Sequence, residues 1–280
     1  MRGFLVASKV PLIILLIFSI LVIFISIYLP EIPGFKVWGI YNNKAFWESF
    51  FLNLNSSIVE IFIFSVVLVY IVNKSSEKAR KETEVRINKE WFDINRGQNG
   101  YPIIIMNVLA LKKLLNLNTN NLNLSKIYFS ETTLTNVSII KSKFMGAIFF
   151  GSRIKDCNFN ACDFKGAVFS SATLSKVEFI KCSLRNSKFQ QAVAKGVVFK
   201  ECDLYKTDFS QGNFKNADLR NTDLLHVIFE DANFSHANFK GARNLDLDSL
   251  LKAKSLNKIK IDKKTYDCLK EKYPEKFIAN

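Results

Sequence analysis

A large apolar residue recurs at every fifth position of this chain from Leu124 to Phe239, and no other feature constrains the fold more. The series has 24 positions, of which 14 are Phe, and only Ala194 carries a small side chain. In an α-helix, every fifth residue steps about 140° around the axis and drifts off any one face. In a flat strand, an odd spacing sends alternate residues to opposite faces. The backbone must therefore turn once in each five-residue unit, as in a solenoid.

The repeating unit also resembles a known family. The units Ala217–Asn221, Ala232–His236 and Ala237–Gly241 resemble the pentapeptide repeat, in which Ala is followed by Asp or Asn, then Leu or Phe, then two variable residues. The resemblance covers about 120 residues in one register. It implies an all-β fold, a right-handed quadrilateral β-helix in which four repeats form one coil. We expect about six coils over residues 122–243 and a helical C-terminal cap over 244–280.

Grouping residues twenty apart predicts how the coils stack. Three of the cysteines that precede central residues by two positions share one column. A stacked interior ladder gives thiolates neither a common point nor room for an ion, so core packing is predicted rather than metal binding. The four cysteines at this position are Cys157, Cys162, Cys182 and Cys202, of which the last three share the column. One column of central residues contains only Phe, and its rings are expected to stack: Phe129, Phe149, Phe169, Phe189, Phe209 and Phe229.

The first 72 residues predict a membrane anchor. Residues 10–29 form an uncharged run of about 20 residues, the length that a helix needs to cross a membrane. A cleaved signal peptide is the alternative, but the run is long and no small-residue cleavage site follows it. Residues 50–72 form a weaker second span, because Asn, Ser and Glu dilute its first half. Residues 1–72 are thus predicted to be a transmembrane hairpin, and 73–121 a charged juxtamembrane helix and linker.

The flanking charges predict the orientation of this hairpin. Basic residues precede the first span and follow the second, whereas the connecting loop is balanced, so both termini should be cytoplasmic. The prediction is an integral protein of the bacterial inner membrane, with the β-helix in the cytoplasm and the lipid bilayer as a partner. Glu60 is a candidate functional residue, because an ionisable group at membrane depth is costly. A protonated Glu60 bonded to another helix, or a later start of the span, is the alternative.

No motif for catalysis occurs in the sequence. His226 and His236 lie two repeats apart, hence on opposite faces of a four-sided coil, and there is no nucleophile–base pair, phosphate loop or metal signature. The resemblance implies that four Asp residues preceding central residues serve turn hydrogen bonding: Asp203, Asp208, Asp218 and Asp223. We therefore predict a protein that is not an enzyme and has no cofactor.

The surface charge of the repeats is uneven. The formal net charge of the chain is +14, and residues 141–200 contain 11 Lys or Arg against 3 acids, whereas residues 201–243 contain 5 against 7. The basic part could face anionic lipid, nucleic acid or an acidic protein, or it could simply be solvated. One outward column forms a mixed stripe that is a candidate contact surface: Met145, Lys165, Arg185, Tyr205 and Leu225.

These features predict a membrane-anchored, non-catalytic binding or scaffold protein that presents a rigid β-helix to a macromolecular partner. A protein is the expected partner, and homo-oligomers are considered. The alternative is a membrane-acting effector or small oligomeric channel, in which the rod senses a signal and the hairpin perturbs the bilayer. Some pentapeptide-repeat proteins mimic DNA toward topoisomerases. That hypothesis ranks low because such mimics are acidic, whereas residues 122–243 are net basic, and nucleic acid is not an expected partner.

Overall fold

The computed structural model describes residue 20 and residues 44–272 of this chain. The chain divides into two compact units, Met1–Glu82 and Thr83–Asn280. The described elements, in chain order, are four helices and four strands: α1 (Lys44–Ile94), α2 (Tyr101–Asn116), β1 (Thr133–Thr135), β2 (Ser138–Ile140), β3 (Arg153–Asn160), β4 (Thr173–Ile180), α3 (Leu247–Leu250) and α4 (Lys263–Lys272).

The prediction of an integral membrane protein is wrong for the residues that the structure describes. Among residues 20 and 44–272, no helix combines the length and the apolar character that a membrane crossing requires. The apolar run Ile61–Val72 is shorter than the roughly 20 residues that a span needs, and α1 continues from it into charged residues as far as Ile94. The predicted span 10–29 lies outside the described residues apart from Ile20. The predicted inner-membrane localisation is therefore wrong, whereas the bilayer partner and the channel hypothesis are not tested and stay predictions.

The end of α1 and all of α2 cover the first coil of the β-helix. Val108, Leu111 and Leu114 of α2 are buried in the same apolar core as Phe92 of α1 and Leu124 of the first repeats. A solenoid end exposes apolar side chains and unpaired backbone groups, so it requires such a cap. The predicted linker thus contains an amino-terminal cap.

Polar contacts fix this cap in place. Asn107 is fully buried, accepts a hydrogen bond from Trp91 Nε1 at 3.0 Å and donates to the Tyr128 carbonyl at 2.9 Å. Gly97 N–H donates to the Lys126 carbonyl at 3.0 Å, and Arg96 donates to the Ser125 carbonyl at 2.6 Å. Backbone carbonyls at the open edge of the first coil therefore find donors in the cap.

The repeats form a β-helix with twenty residues in each coil. Paired residues in parallel register lie twenty positions apart, as in Arg153↔Thr173 between β3 and β4 and in the bridges that continue this ladder to Val193 and Asn213. Four such ladders run through the coils, one on each side. These ladders confirm the β-helix fold that the resemblance implied, and the number of coils stays a prediction.

The backbone turns once in every repeat, as the period of five requires. A residue with positive φ occurs at every fifth position from Asn121 to Gly241, two positions after each central residue. Most of these residues are not glycine, for example Ala161 with a φ of 52° and Lys176 with a φ of 52°. The N–H of the corner residue still pairs with the next coil, as Lys126 does with the Met145 carbonyl at 2.8 Å.

Stacked Phe rings fill the centre of the coils. Phe149 and Phe169 have ring centroids 4.8 Å apart and nearly parallel planes, and Phe169 and Phe189 repeat this at 4.7 Å. Toward the carboxyl end the stack loosens, and Phe209 and Phe229 are 6.3 Å apart. The column of six Phe residues therefore lies inside the rod.

The column that contains Ala194 is filled by a neighbour. Ala194 is fully buried, and its N–H pairs with the Asn213 carbonyl in the next coil at 2.8 Å. The Phe214 ring follows it in the column and lies 4.7 Å from the Phe209 ring, centroid to centroid. A Cβ at Gly212 would collide with this ring. Gly212 therefore makes room for Phe214 to occupy the space beside Ala194.

The carboxyl-terminal segment combines helices with further coil pairing. After α3, Ser255 pairs with Asn233 and Lys260 pairs with Asn238, both in parallel register. These partners are 22 residues apart instead of 20, because α3 inserts two residues into the coil. Leu256 and Leu269 close this end of the core.

Candidate interaction surface of the β-helix

Each repeat presents outward residues immediately before and after its central residue. We call the side that carries Met145, Lys165, Arg185, Tyr205 and Leu225 the stripe face. Hydrogen bonds from the corner residues hold the carbonyl groups of this column in register, such as Gly166 N–H to the Arg185 carbonyl at 2.8 Å. The five residues predicted as a contact stripe therefore do lie in one column, on successive coils.

Two of these side chains, Arg185 and Tyr205, form a cluster with their neighbours. The Arg185 guanidinium carbon lies 4.2 Å from the centroid of the Tyr205 ring, and Arg185 Nη1 donates to Asp203 Oδ2 at 2.9 Å. This hydrogen bond raises the pKa of the Arg185 guanidinium. Lys206 Nζ is 5.3 Å from the same ring, and the His226 ring meets it edge-on at 5.8 Å. Tyr205 is thus surrounded by cationic and aromatic groups.

The two ends of the stripe are apolar and solvent-accessible. Met145 and Leu225 are each 38% exposed. Lys165, between Met145 and the Arg185 cluster, is also exposed. The stripe therefore has apolar ends with charged and aromatic groups between them, a mixture that is typical of protein interfaces rather than of a substrate cleft.

The Asp residues before the central positions serve the turns. Asp203 Oδ1 accepts the Tyr205 N–H at 3.0 Å, and Asp208 Oδ1 accepts the Ser210 N–H at 2.9 Å. Partial burial alone would raise the pKa of the Asp218 carboxyl, but hydrogen bonds from Arg220 outweigh it and lower this pKa. These carboxylates are committed to backbone and ion-pair contacts.

The buried cysteines have unreactive surroundings. Cys182 and Cys202 point their thiols at the carbonyl groups of Phe159 and Phe179, each at 3.2 Å. A hydrogen bond from Cys162 lowers the pKa of Cys182, but a hydrogen bond to Cys202 and burial outweigh this and raise it to about 12. In the described part of the chain, no group of three or more His, Cys, Asp and Glu side chains could hold a metal ion.

The remaining predicted site residues lie elsewhere. Glu60 is an exposed residue of α1, and its suggested role depended on the membrane span. His226 belongs to the Tyr205 cluster, whereas His236 is at a corner two repeats away. Sequence reasoning missed the ion pair between Arg185 and Asp203, because a column assignment fixes which residues are neighbours but not which rotamers they adopt.

Comparison with known proteins identifies the repeats. Residues 132–209 and 172–249 match the family described as Pentapeptide repeat region. Among solved structures, the chain resembles HetL, a pentapeptide repeat protein involved in heterocyst differentiation regulation from the cyanobacterium Nostoc sp. strain PCC 7120. The identity is 22%, the match covers 48% of this chain and 69% of HetL, and the TM-score is 0.30.

Two further solved structures are similar to this chain. Full-length QnrB1, a plasmid-mediated fluoroquinolone resistance protein, is 19% identical over 50% of this chain and 96% of its own, with a TM-score of 0.28. A pentapeptide repeat protein from the thylakoid lumen of Arabidopsis thaliana is 21% identical over 38% and 72%, with a TM-score of 0.28. No curated protein sequence matches this chain significantly. Residues 132–249 of this chain therefore form a pentapeptide-repeat region.

Proposed function

We propose that this chain is a non-catalytic binding or scaffold protein that holds a protein partner on the stripe face of its β-helix. The rod supplies a regular surface, since most corner residues donate a backbone hydrogen bond to the next coil, as Lys206 does to the Leu225 carbonyl at 3.0 Å. Rigid side chains on such a surface lose little conformational entropy when a partner binds. The activity proposed is recognition, with no chemical step.

The observation that carries the proposal is the packing of Arg185 over Tyr205. Arg and Tyr are enriched among the residues that dominate binding energy at protein interfaces. Here Arg185 is already held by Asp203 at 2.9 Å and by the Tyr205 ring at 4.2 Å. The pair therefore presents a planar cation and an aromatic ring in one fixed arrangement, with apolar Leu225 beside it in the next coil.

Site-specific photocrosslinking in cells tests this proposal. A photoreactive phenylalanine analogue replaces Leu225 in the full chain, and adducts are separated by mass. We expect a defined adduct with one other protein. Tyr205→Ala should remove most of this adduct, because truncating an interface hot spot lowers affinity by about thirtyfold or more.

The matched control places the same analogue at Glu230, which is exposed on the next face of the same coil. The same adducts from both positions, or no adduct from Leu225, would contradict a binding role for the stripe face. An adduct between two copies of this chain would show that the stripe face binds a second copy of the chain and not a separate partner protein.

A further inference from the structure

A different side of the β-helix carries an excess of positive charge. We call the side with the Val193 ladder the basic face. It lies two repeats from the stripe face and so opposite to it in the coil. Its outward and corner positions hold a single acid, Asp156, against five cations: Arg153, Lys155, Lys176, Lys195 and Lys215.

Most of this charge has no counter-charge. Asp156 lies 3.8 Å from Lys155 Nζ and 3.8 Å from Lys176 Nζ, so one carboxylate is shared by two ammonium groups. Arg153, Lys195 and Lys215 make no ion pair with any residue in the described part of the chain. All three are exposed.

Lys195 and Lys215 also face each other across consecutive coils. The Gly196 N–H donates to the Lys215 carbonyl at 2.8 Å, so the two side chains leave the rod one coil apart, at about 4.8 Å. Like charges placed directly opposite each other on neighbouring strands are destabilising. An anionic partner would relieve this repulsion.

The neighbouring face pairs its cations in the same coils. Arg220 Nη2 lies 2.6 Å from Asp218 Oδ2, and Lys200 Nζ lies 3.8 Å from Glu201 Oε1. In these coils the cations of the neighbouring face are therefore paired, whereas Lys195 and Lys215 of the basic face are not.

The spacing of these cations fits an extended peptide. From Lys155 to Lys215 there are three coil steps, about 14 Å. An extended strand with acidic residues at alternate positions places three carboxylates over about the same distance. Thr173, Ser175 and Asn213 lie between the cations and offer hydroxyl and amide donors to further carboxylate oxygens.

We propose that the basic face binds an extended acidic segment of a partner protein. Side chains of Arg153, Lys195 and Lys215 pair with carboxylates of the segment, which runs along the rod across successive coils. This surface is separate from the stripe face, so the two proposals stand or fall independently.

A peptide fits this face better than a nucleic acid does. Single-stranded nucleic acids are held by aromatic side chains on which bases stack, and the face carries none between Thr133 and Asn233. Four of its five cations are Lys, whereas Arg makes the forked contacts with phosphate. The face thus supplies charge and hydrogen-bond donors without a stacking platform.

Fluorescence anisotropy with the full chain tests this inference. The probe is a labelled oligopeptide of alternating Glu and Thr, measured at about 50 mM and about 200 mM salt, with unlabelled oligothymidylate as the nucleic-acid comparison. We expect the peptide to bind and to weaken with salt. The double variant Lys195→Gln/Lys215→Gln should lose about tenfold in affinity or more.

The control variant Lys200→Gln/Arg220→Gln removes the same charge from the paired face and should change the affinity by less than about threefold. Thermal unfolding by circular dichroism shows that both variants are folded. Equal losses in the two variants would overturn the inference, since net charge alone would then explain binding. Tighter binding of oligothymidylate that is lost in the Lys195/Lys215 variant would overturn the choice of a peptide, and no peptide binding at either salt would refute the site.

Discussion

At the scale of single residues, the fold depends on one left-handed residue in each repeat. The sequence period requires a turn every five residues, and the structure places its positive φ two positions after the central residue, from Asn121 to Gly241. This position could not be predicted from residue type. It is occupied by Lys, Asp, Ala and Glu as often as by Gly or Asn, which are the residues that signal a left-handed conformation.

Two substitutions measure the cost of these turns. Gly166 has a φ of +69°, and a Cβ there would meet nothing within 4 Å, so Gly166→Ala changes only backbone strain. We expect it to lower the free energy of unfolding by about 1 kcal/mol. Ala161→Gly, at the preceding corner with a φ of 52°, should raise it by up to about 1 kcal/mol. Urea unfolding of both variants is the measurement, and a stabilising Gly166→Ala would show that corner strain does not limit stability.

At the scale of elements, the amino-terminal cap is the part of the fold that was not predicted from the sequence. The sequence predicted only a charged juxtamembrane helix and a linker over residues 73–121, with no part of them packed on the repeats. The signal that could have revealed the cap is Trp91-Phe92 near the end of a charged helix, two large apolar side chains with no predicted core to enter. The two hydrogen bonds of the Asn107 side chain could not be predicted from the hydrophobic pattern, because an Asn in a helix can equally well be solvated.

Removing these two hydrogen bonds should weaken the cap. In Asn107→Leu, Trp91 Nε1 loses its acceptor and the Tyr128 carbonyl loses its donor, both at a buried site. Leaving buried polar groups unpaired costs about 1–3 kcal/mol each, so we expect a loss of about 2 kcal/mol or more in the free energy of unfolding. Asn116→Leu, at an exposed position of the same helix, is the control and should stay within about 0.5 kcal/mol. Equal effects in the two variants would mean that the buried hydrogen bonds do not hold the cap.

At the scale of the whole molecule, the five-residue period predicted a solenoid, and the resemblance to the pentapeptide repeat implied its twenty-residue register. The two together predicted the interior position of the Phe and Cys columns. This was possible because a solenoid repeats one local geometry, so residues that stack on each other in successive coils are always separated by the same number of positions in the sequence. The stripe residues follow from the same offset. Ion pairs such as Arg185–Asp203, and the missing pairs of the basic face, depend on rotamers and on charges in adjacent columns, which the offset does not decide.

The reactivity of the cysteine thiols indicates whether the β-helix unfolds as one cooperative unit. Cys157, Cys162, Cys182 and Cys202 are buried, whereas Cys268 is partly accessible. Because the thiolate is the reactive form and the pKa of Cys182 is about 12, we expect a thiol reagent at neutral pH to modify Cys268 alone in the native protein. The other four should react together as urea unfolds the chain, as mass spectrometry of the adducts would show. Modification of Cys202 before Cys162 would indicate fraying from the carboxyl end, which one-dimensional arrays permit.

The helices at the carboxyl end also have a consequence for the length of the rod. A rod whose every coil offers the next one an identical edge could be continued indefinitely by neighbouring molecules. Here the last coil pairs, Asn233 with Ser255 and Asn238 with Lys260, are followed by α4, and Leu269 of that helix is buried in the core. A second copy approaching this end would therefore meet a helix and not an open edge of backbone groups.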